Sequence, residues 1–261
     1  MAQPINFDPE FDDDNFGAPG STINPFLPLV EGNTWTYAHA DGGSNTVTVT
    51  NKTENILGVK CFEVTDIEVD AEGNPTEVTT DFFATDIFGR VWYFGEDTVA
   101  NGDPAGTWRA GEVPEGGTEV AQPGVIMLAP GELKVGLTYL EEQAAPQALD
   151  QASVKSLSAN VDLGVLGSFT DALKTKNDTT LDPGNVEEKY YVEGIGPVLI
   201  TAGNSQEQLV SFSVANLVQA MASFTSPSSE SAAALVTNHR DDNSSSQQLL
   251  APAGHDGGQH G

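Results

Sequence analysis

Period-two alternation runs through this chain after residue 24 and dictates its fold class. "VEEKYYVE" shows it most cleanly, with Val186, Glu188, Tyr190 and Val192 on one side and Glu187, Lys189, Tyr191 and Glu193 on the other. Successive strand residues point to opposite faces, so such a segment separates two environments across a sheet. "NTWTYAH" does the same, placing Trp35, Tyr37 and His39 together, and "NTVTVTN" sets Val47 and Val49 against threonines. "VKCFEVTDIEV" and "TEVTTDFF" flank the turn-rich "DAEGNP" and are expected to pair as a hairpin. In "RVWYF", Val91 and Tyr93 face one side and Trp92 and Phe94 the other, so this strand is apolar on both faces. It is expected to be central, covered by a second layer or by the curl of its own sheet. Short strands of this kind, punctuated by Gly, Asn, Asp and Pro, predict an all-β, antiparallel body. The expected form is a strongly curled sheet, a half-barrel or a barrel.

The ends of the chain differ in texture. Residues 1–24 hold five acids and no base, and read as a disordered acidic arm. The β domain spans 25–214, and 95–124 reads as a loop-rich insertion lying over one opening. At 215–226, "VANLVQAMASF" places Leu217, Met221 and Phe224 at helical spacing, which predicts one amphipathic helix able to dock a partner. Residues 227–261 read as a low-complexity tail.

Charge narrows the function. The sequence carries 38 acidic and 10 basic residues, a net charge of −28. Only five of those acids and one base lie in 207–261, so the excess belongs to the body. A field of that sign repels phosphate backbones and anionic lipid, which argues against nucleic acid as a partner. No apolar run reaches the length of a membrane span. Cys61 is the single cysteine, so an internal disulfide and a Cys-rich metal site are both impossible; it falls inside a strand and is expected to be a buried thiol. "MAQPINFDPEFDDDNFG" has neither a basic n-region nor an apolar h-region, so no N-terminal signal peptide is expected. A cytoplasmic address follows from that alone, whereas the low Lys and Arg content favours an extracellular or cell-surface one.

The chemistry-bearing residues sort as follows. Trp35, Tyr37, Trp92, Tyr93 and Phe94 are candidate walls of an internal ligand pocket. Asp66, Glu68, Asp70 and Glu77 occupy the first, third, fifth and twelfth positions of a calcium-loop pattern, but Ala71 stands where that loop requires glycine. The segment therefore reads as a hairpin with an acidic solvent face and weak Ca2+ association, and no cofactor is expected. His39, in phase with Trp35 and Tyr37, reads as a structural or rim residue; His239, His255 and His260 lie in the tail. No nucleophile elbow, zinc-protease motif or phosphate-binding glycine loop is present. A carboxylate pair of the glycosidase type leaves no local motif and stays open.

Three segments together carry a resemblance. "NPFLPLVEGNTWTY", "DIFGRVWYFGED" and "EEKYYVEGIGPVLI" make residues 24–214 similar to a group of uncharacterised bacterial exported proteins sharing a PL-x-x-G-x-x-W-x-Y start and a YY-x-x-G-x-G-x-V return. The resemblance implies export; it is uninformative for activity and offers no catalytic residues to carry over. "VANLVQAMASF" with its Ser/Pro-rich continuation resembles the C-terminal tails of type I secretion substrates, which implies secretion machinery or a surface partner for that segment. The expected function is thus a non-enzymatic exported acidic β protein, binding an apolar or amphiphilic small molecule inside the curled sheet or acting at the cell surface. The alternatives are an extracellular hydrolase using a carboxylate pair, and a structural or assembly protein docking through its C-terminal helix.

Overall fold

The computed structural model describes residues 5–214, all within one unit, Met1–Thr225. In chain order its strands are β1 (Ile5–Phe7), β2 (Thr34–His39), β3 (Ser44–Ile56), β4 (Val59–Val69), β5 (Pro75–Thr85), β6 (Val91–Ala100), β7 (Asp103–Pro104) and β8 (Trp108–Arg109). They continue as β9 (Gly124–Met127), β10 (Leu137–Leu140), β11 (Asp150–Asp162), β12 (Ser168–Thr179), β13 (Val186–Val192), β14 (Gly196–Ala202) and β15 (Ser205–Ser213). Three single-turn 3-10 helices, Asp13–Asn15, Pro130–Glu132 and Gly164–Leu166, are the only helical elements among the described residues. The helix expected at 215–226, with Leu217, Met221 and Phe224, lies outside the described residues.

All fifteen strands join one sheet. Its path runs β1, then β10 to β15 in order, then β2 to β7, with β8 and β9 both pairing β6 off that path. The ladders are antiparallel apart from the parallel pair β1–β10. Most neighbours are therefore successive hairpins. The exception that organises the molecule is β15 against β2, which closes the first and second halves of the chain onto one another. Register shifts interrupt β3–β4, β5–β6, β11–β12, β13–β14 and β15–β2. Each such bulge increases local twist and bends its strand, and together they curl the sheet. The all-β antiparallel sheet expected from sequence is present and is not closed, so the barrel among the expected forms is not realised.

The β4–β5 hairpin forms as expected around 70–74, with Phe62 across from Phe83 and Glu68 across from Glu77. β6 is covered on both faces. Tyr93 stacks on Phe83 with ring centroids 4.7 Å apart and meets the edge of Trp108 at 5.3 Å. On the other face Trp92 and Phe94 meet Phe11 and Phe16 edge-on, at centroid distances of 5.7 to 6.1 Å. Residues 5–24 are thus not a free arm. They supply a short strand and two aromatics that cap the outer face of β6, and their acids conceal this because Asp12, Asp13 and Asp14 are exposed while Phe11 before them and Phe16 after them are half-buried.

β6 also runs further than the sequence shows, to Ala100, so the loop-rich stretch begins after it. Gly95, at φ +133°, permits the turn of register there: a Cβ would stand 2.3 Å from the carbonyl oxygen of Trp108 on β8. Cys61 is fully buried, and burial pushes its thiol well above the usual range, with the Glu54 carboxylate adding to the shift.

Candidate functional site

Register alone defines the inner face of the curl. From β4 the partners Val47–Asp66, Asn45–Glu68 and Glu68–Glu77 carry one face across β3 to β5. Trp35–Val47 and Tyr37–Asn45 extend it to β2, and Asp81–Glu96 to β6. In the other direction His39 faces Glu207, Glu207 faces Ile200, Ile200 faces Lys189 and Lys189 faces Thr175. Asn177–Ala152 and Ala152–Tyr139 complete the circuit at β10.

Along β2 to β6, β10 to β13 and β15 this face changes character in the same direction. At one end lie Trp35, Val49, Val64, Phe83, Val154, Leu173 and Tyr191. At the other, toward the hairpin turns at 40–43, 70–74, 180–185 and 203–204, lie His39, Glu68, Glu77, Glu96, Glu141, Asp150, Asn177, Glu187, Lys189 and Glu207. The inner surface is amphiphilic, apolar in its depth and acidic toward one rim.

The acids on it are desolvated although several keep contact with solvent. Asp66, Asp81, Glu96 and Glu142 are each only half-buried, yet burial raises the pKa of all four. A group that touches solvent and is still surrounded by protein sits inside a concavity rather than on a convex surface. Asp66 and Glu96 are pushed up to about 7, and Asp81 and Glu142 well above the carboxylate range. Burial is the main cause, and neighbouring carboxylates add to it: Glu68 and Glu207 at Asp66, Glu77 and Asp150 at Glu96, Asp150 and Glu96 at Glu142. Glu96, Glu142 and Asp150 lie within electrostatic reach of one another, which places β6 and the β10–β11 connection near each other.

Two polar clusters stand out. Tyr93 donates its hydroxyl to Asp81 Oδ1 at 2.5 Å and lies 3.1 Å from Glu96 Oε2. A phenol has one proton, so the second contact is a hydrogen bond only when Glu96 brings its own, which its raised pKa allows. On the opposite wall, Asn177 donates to Glu141 Oε2 at 2.6 Å and accepts from Thr175 at 2.7 Å. Glu141 is 2% exposed and burial pushes it up to about 7. Burial alone would lower the Lys189 pKa, but Glu187 and Glu141 outweigh it and hold the ammonium charged, with Glu187 at 3.2 Å. Lys189 is the one cation among these carboxylates. Glu141 Oε1 and the hydroxyl of Tyr139, itself 2% exposed, have no hydrogen-bond partner.

The residues singled out from sequence divide between the two faces. Trp35, Tyr37 and Tyr93 lie on the inner face; Trp92 and Phe94 lie on the outer face beneath Phe11 and Phe16. Trp35 Nε1 donates to the Ile195 carbonyl at 2.6 Å and the Tyr37 hydroxyl to the Pro197 carbonyl at 3.0 Å, so both are held by β2 meeting the β13–β14 turn. Asp66, Glu68 and Glu77 face inward, which corrects the expectation of an acidic solvent face. Inside an open curl, alternation between polar and apolar residues looks the same as on an outer surface. Asp70 is separate from them: its carboxylate accepts from the backbone of Glu72 and Asn74 and from the Asn74 side chain, closing the hairpin turn. Sequence reasoning missed Asp81, Glu141, Glu142 and Lys189 as members of one surface, since only register across many strands assembles them.

No protein-family model and no curated protein matches this sequence. Among solved structures the chain is similar to a candidate exported protein with a YmcC-like fold from Bacteroides fragilis NCTC 9343, at 11% identity and a TM-score of 0.39, over 73% of this chain and 100% of that one. It is also similar to a candidate lipoprotein from Parabacteroides distasonis ATCC 8503, at 10% identity and a TM-score of 0.39, over 74% of this chain and 100% of that one.

Proposed function

We propose that this protein is a non-enzymatic, exported binding protein that holds a small amphiphilic molecule against the inner face of its curled sheet, with a cationic head toward the acidic rim. The observation that carries this reading is the polarity gradient of that face, together with the unpartnered Glu141 Oε1 and Tyr139 hydroxyl at its polar end. An ammonium head offers donors to both oxygens and relieves repulsion among the surrounding carboxylates. An apolar tail fits the aromatic and aliphatic depth around Trp35 and Tyr191. Export rests on the acidic, Lys- and Arg-poor composition.

The alternative of carboxylate-pair hydrolysis would use Asp81 and Glu96, which reach the same hydroxyl. What favours binding over hydrolysis is that Tyr93 itself fills the space between them, where a scissile oxygen would have to sit.

Thermal unfolding in the presence of matched C10–C14 alkylamines, alcohols and carboxylates tests the proposal. Amines are expected to raise Tm in a concentration-dependent way, carboxylates not, and Glu141→Gln to weaken the amine effect. Equal stabilisation by all three head groups, or by none, overturns it.

A further inference from the structure

At the rim of the inner face three side chains from three different strands converge. His39 ends β2, Glu207 lies directly across from it on β15, and Glu68 stands on β4. One donor atom from each lies within 4.8 Å of the others, and His39 Nε2 is 4.0 Å from Glu207 Oε2. That nitrogen is shielded from solvent and has no hydrogen-bond partner. An unpartnered imidazole nitrogen grouped with two carboxylates is a donor set of the kind that binds a metal cation.

The backbone makes room for this approach. Gly43 occupies the inner-face position between His39 and β4; a Cβ there would stand 3.5 Å from His39 Nδ1 and 2.6 Å from the Val69 carbonyl oxygen.

A second observation points to the same place. Asn45 is 6% exposed, lies across the β3–β4 ladder from Glu68 and across β2–β3 from Tyr37, and its Oδ1 has no partner. The Asn45 side chain hydrogen-bonds the Asp66 carboxylate, one step deeper on the face, which it does through its NH2 group. Its Oδ1 belongs to a buried amide that borders Glu68 on the same face. A buried carbonyl oxygen with no donor costs free energy unless something satisfies it.

We infer that His39, Glu68 and Glu207, with Asn45 Oδ1 beside them, form a binding site for a single divalent transition-metal ion of the zinc class. One imidazole with carboxylate and amide oxygens suits such an ion better than magnesium or calcium, which take oxygen-only shells. Zinc bonds of about 2.0–2.2 Å place tetrahedral ligands roughly 3.4 Å apart, so the His39, Glu68 and Glu207 donors, now within 4.8 Å of one another, have only a short way to close. The site shares the acidic rim with the ligand reading above but not the head-group residues Glu141 and Tyr139 on which that reading turns, so the two are tested by different variants.

Zinc titration of the full chain, followed by native mass spectrometry and isothermal calorimetry, tests this. The tail histidines are a competing source of zinc binding, so the decisive comparison is between His39→Ala and the triple variant His239→Ala/His255→Ala/His260→Ala. One tightly bound zinc is expected in the wild type and the triple variant and is expected to be lost in His39→Ala. Glu68→Gln and Glu207→Gln, which preserve shape, are expected to weaken binding by an order of magnitude or more, and Asn45→Ala by about tenfold. Far-UV circular dichroism in chelator verifies that each variant is folded. Retention of the stoichiometric zinc in His39→Ala, its loss in the triple tail variant, or no zinc uptake by the wild type would each overturn the proposal.

Discussion

Tyr93 shows how one atom can set the chemistry of its surroundings. Its hydroxyl is the hydrogen-bonding neighbour that Asp81 and Glu96 have in common, and Asp81 is a carboxylate that burial has already pushed toward its neutral form. Tyr93→Phe removes that donor while keeping the ring on Phe83 and Trp108. The expected cost is about 1–3 kcal/mol, the range for leaving a desolvated polar group without its partner, read as a lower urea midpoint at pH 8. An unchanged midpoint would mean that water replaces the hydroxyl freely and that the concavity is wetter than the raised pKa values imply. Trp35 illustrates the same dependence at the opposite end of the face. Its indole N–H satisfies the Ile195 carbonyl, and Gly196, at φ +108°, leaves room for the ring because a Cβ there would come within 3.2 Å of Nε1. The tryptophan and the glycine are 161 positions apart in sequence, yet each is needed for the other.

At the scale of elements, that contact explains what could be read from sequence. The three segments that carried the family resemblance meet in space. Trp35 and Tyr37 bond the turn between β13 and β14, Gly194 donates to the Pro25 carbonyl, and Asn24 donates to the carbonyls of Gly89 and Leu128. Strand identity and the β4–β5 hairpin were legible because alternation and turn residues are local signals. The role of residues 5–24 was not, because a three-residue strand paired in parallel with β10 has no periodicity to detect. Nor could local pattern show that Phe11 and Phe16 complete the outer face of β6, which is determined only by what lies beneath them. This segment is therefore expected to contribute to stability. Phe16→Ala is predicted to cost about 1–3 kcal/mol, below the full cost of deleting a buried phenylalanine since the ring is half-exposed, measured by chemical denaturation. A free acidic arm would instead give no change.

For the whole molecule, the dominant fact is that a strongly acidic chain has turned many of its acids inward. The site was legible in sequence only as an abundance of carboxylates, because which of them share a surface depends on the order in which fifteen strands pair. That arrangement has a consequence for pH. Burial pushes Asp66, Glu96 and Glu141 up to about 7 in the folded protein and raises Asp81 and Glu142 well above their ordinary values. The same side chains titrate near 4 when unfolded. Between about pH 4 and 7 the folded state therefore binds more protons than the unfolded one, and stability falls as pH rises. The contribution of these groups is complete below pH 4 and is lost through pH 7 and above; repulsion among the remaining negative charges acts in the same direction. Asp178, whose pKa is lowered chiefly by its bonds to Lys176 and Gln151, opposes this only at more acidic pH. Tm measured in chelator is thus expected to be several degrees higher at pH 5 than at pH 8, each kcal/mol moving it by about 2–4 °C in a domain of this size. Glu96→Gln and Glu141→Gln, which hold the neutral form at every pH, are expected to flatten the profile. A Tm that rises from pH 5 to pH 8 would show that these carboxylates are ionised and solvated, and with them would go the concave, desolvated face on which the binding proposal depends.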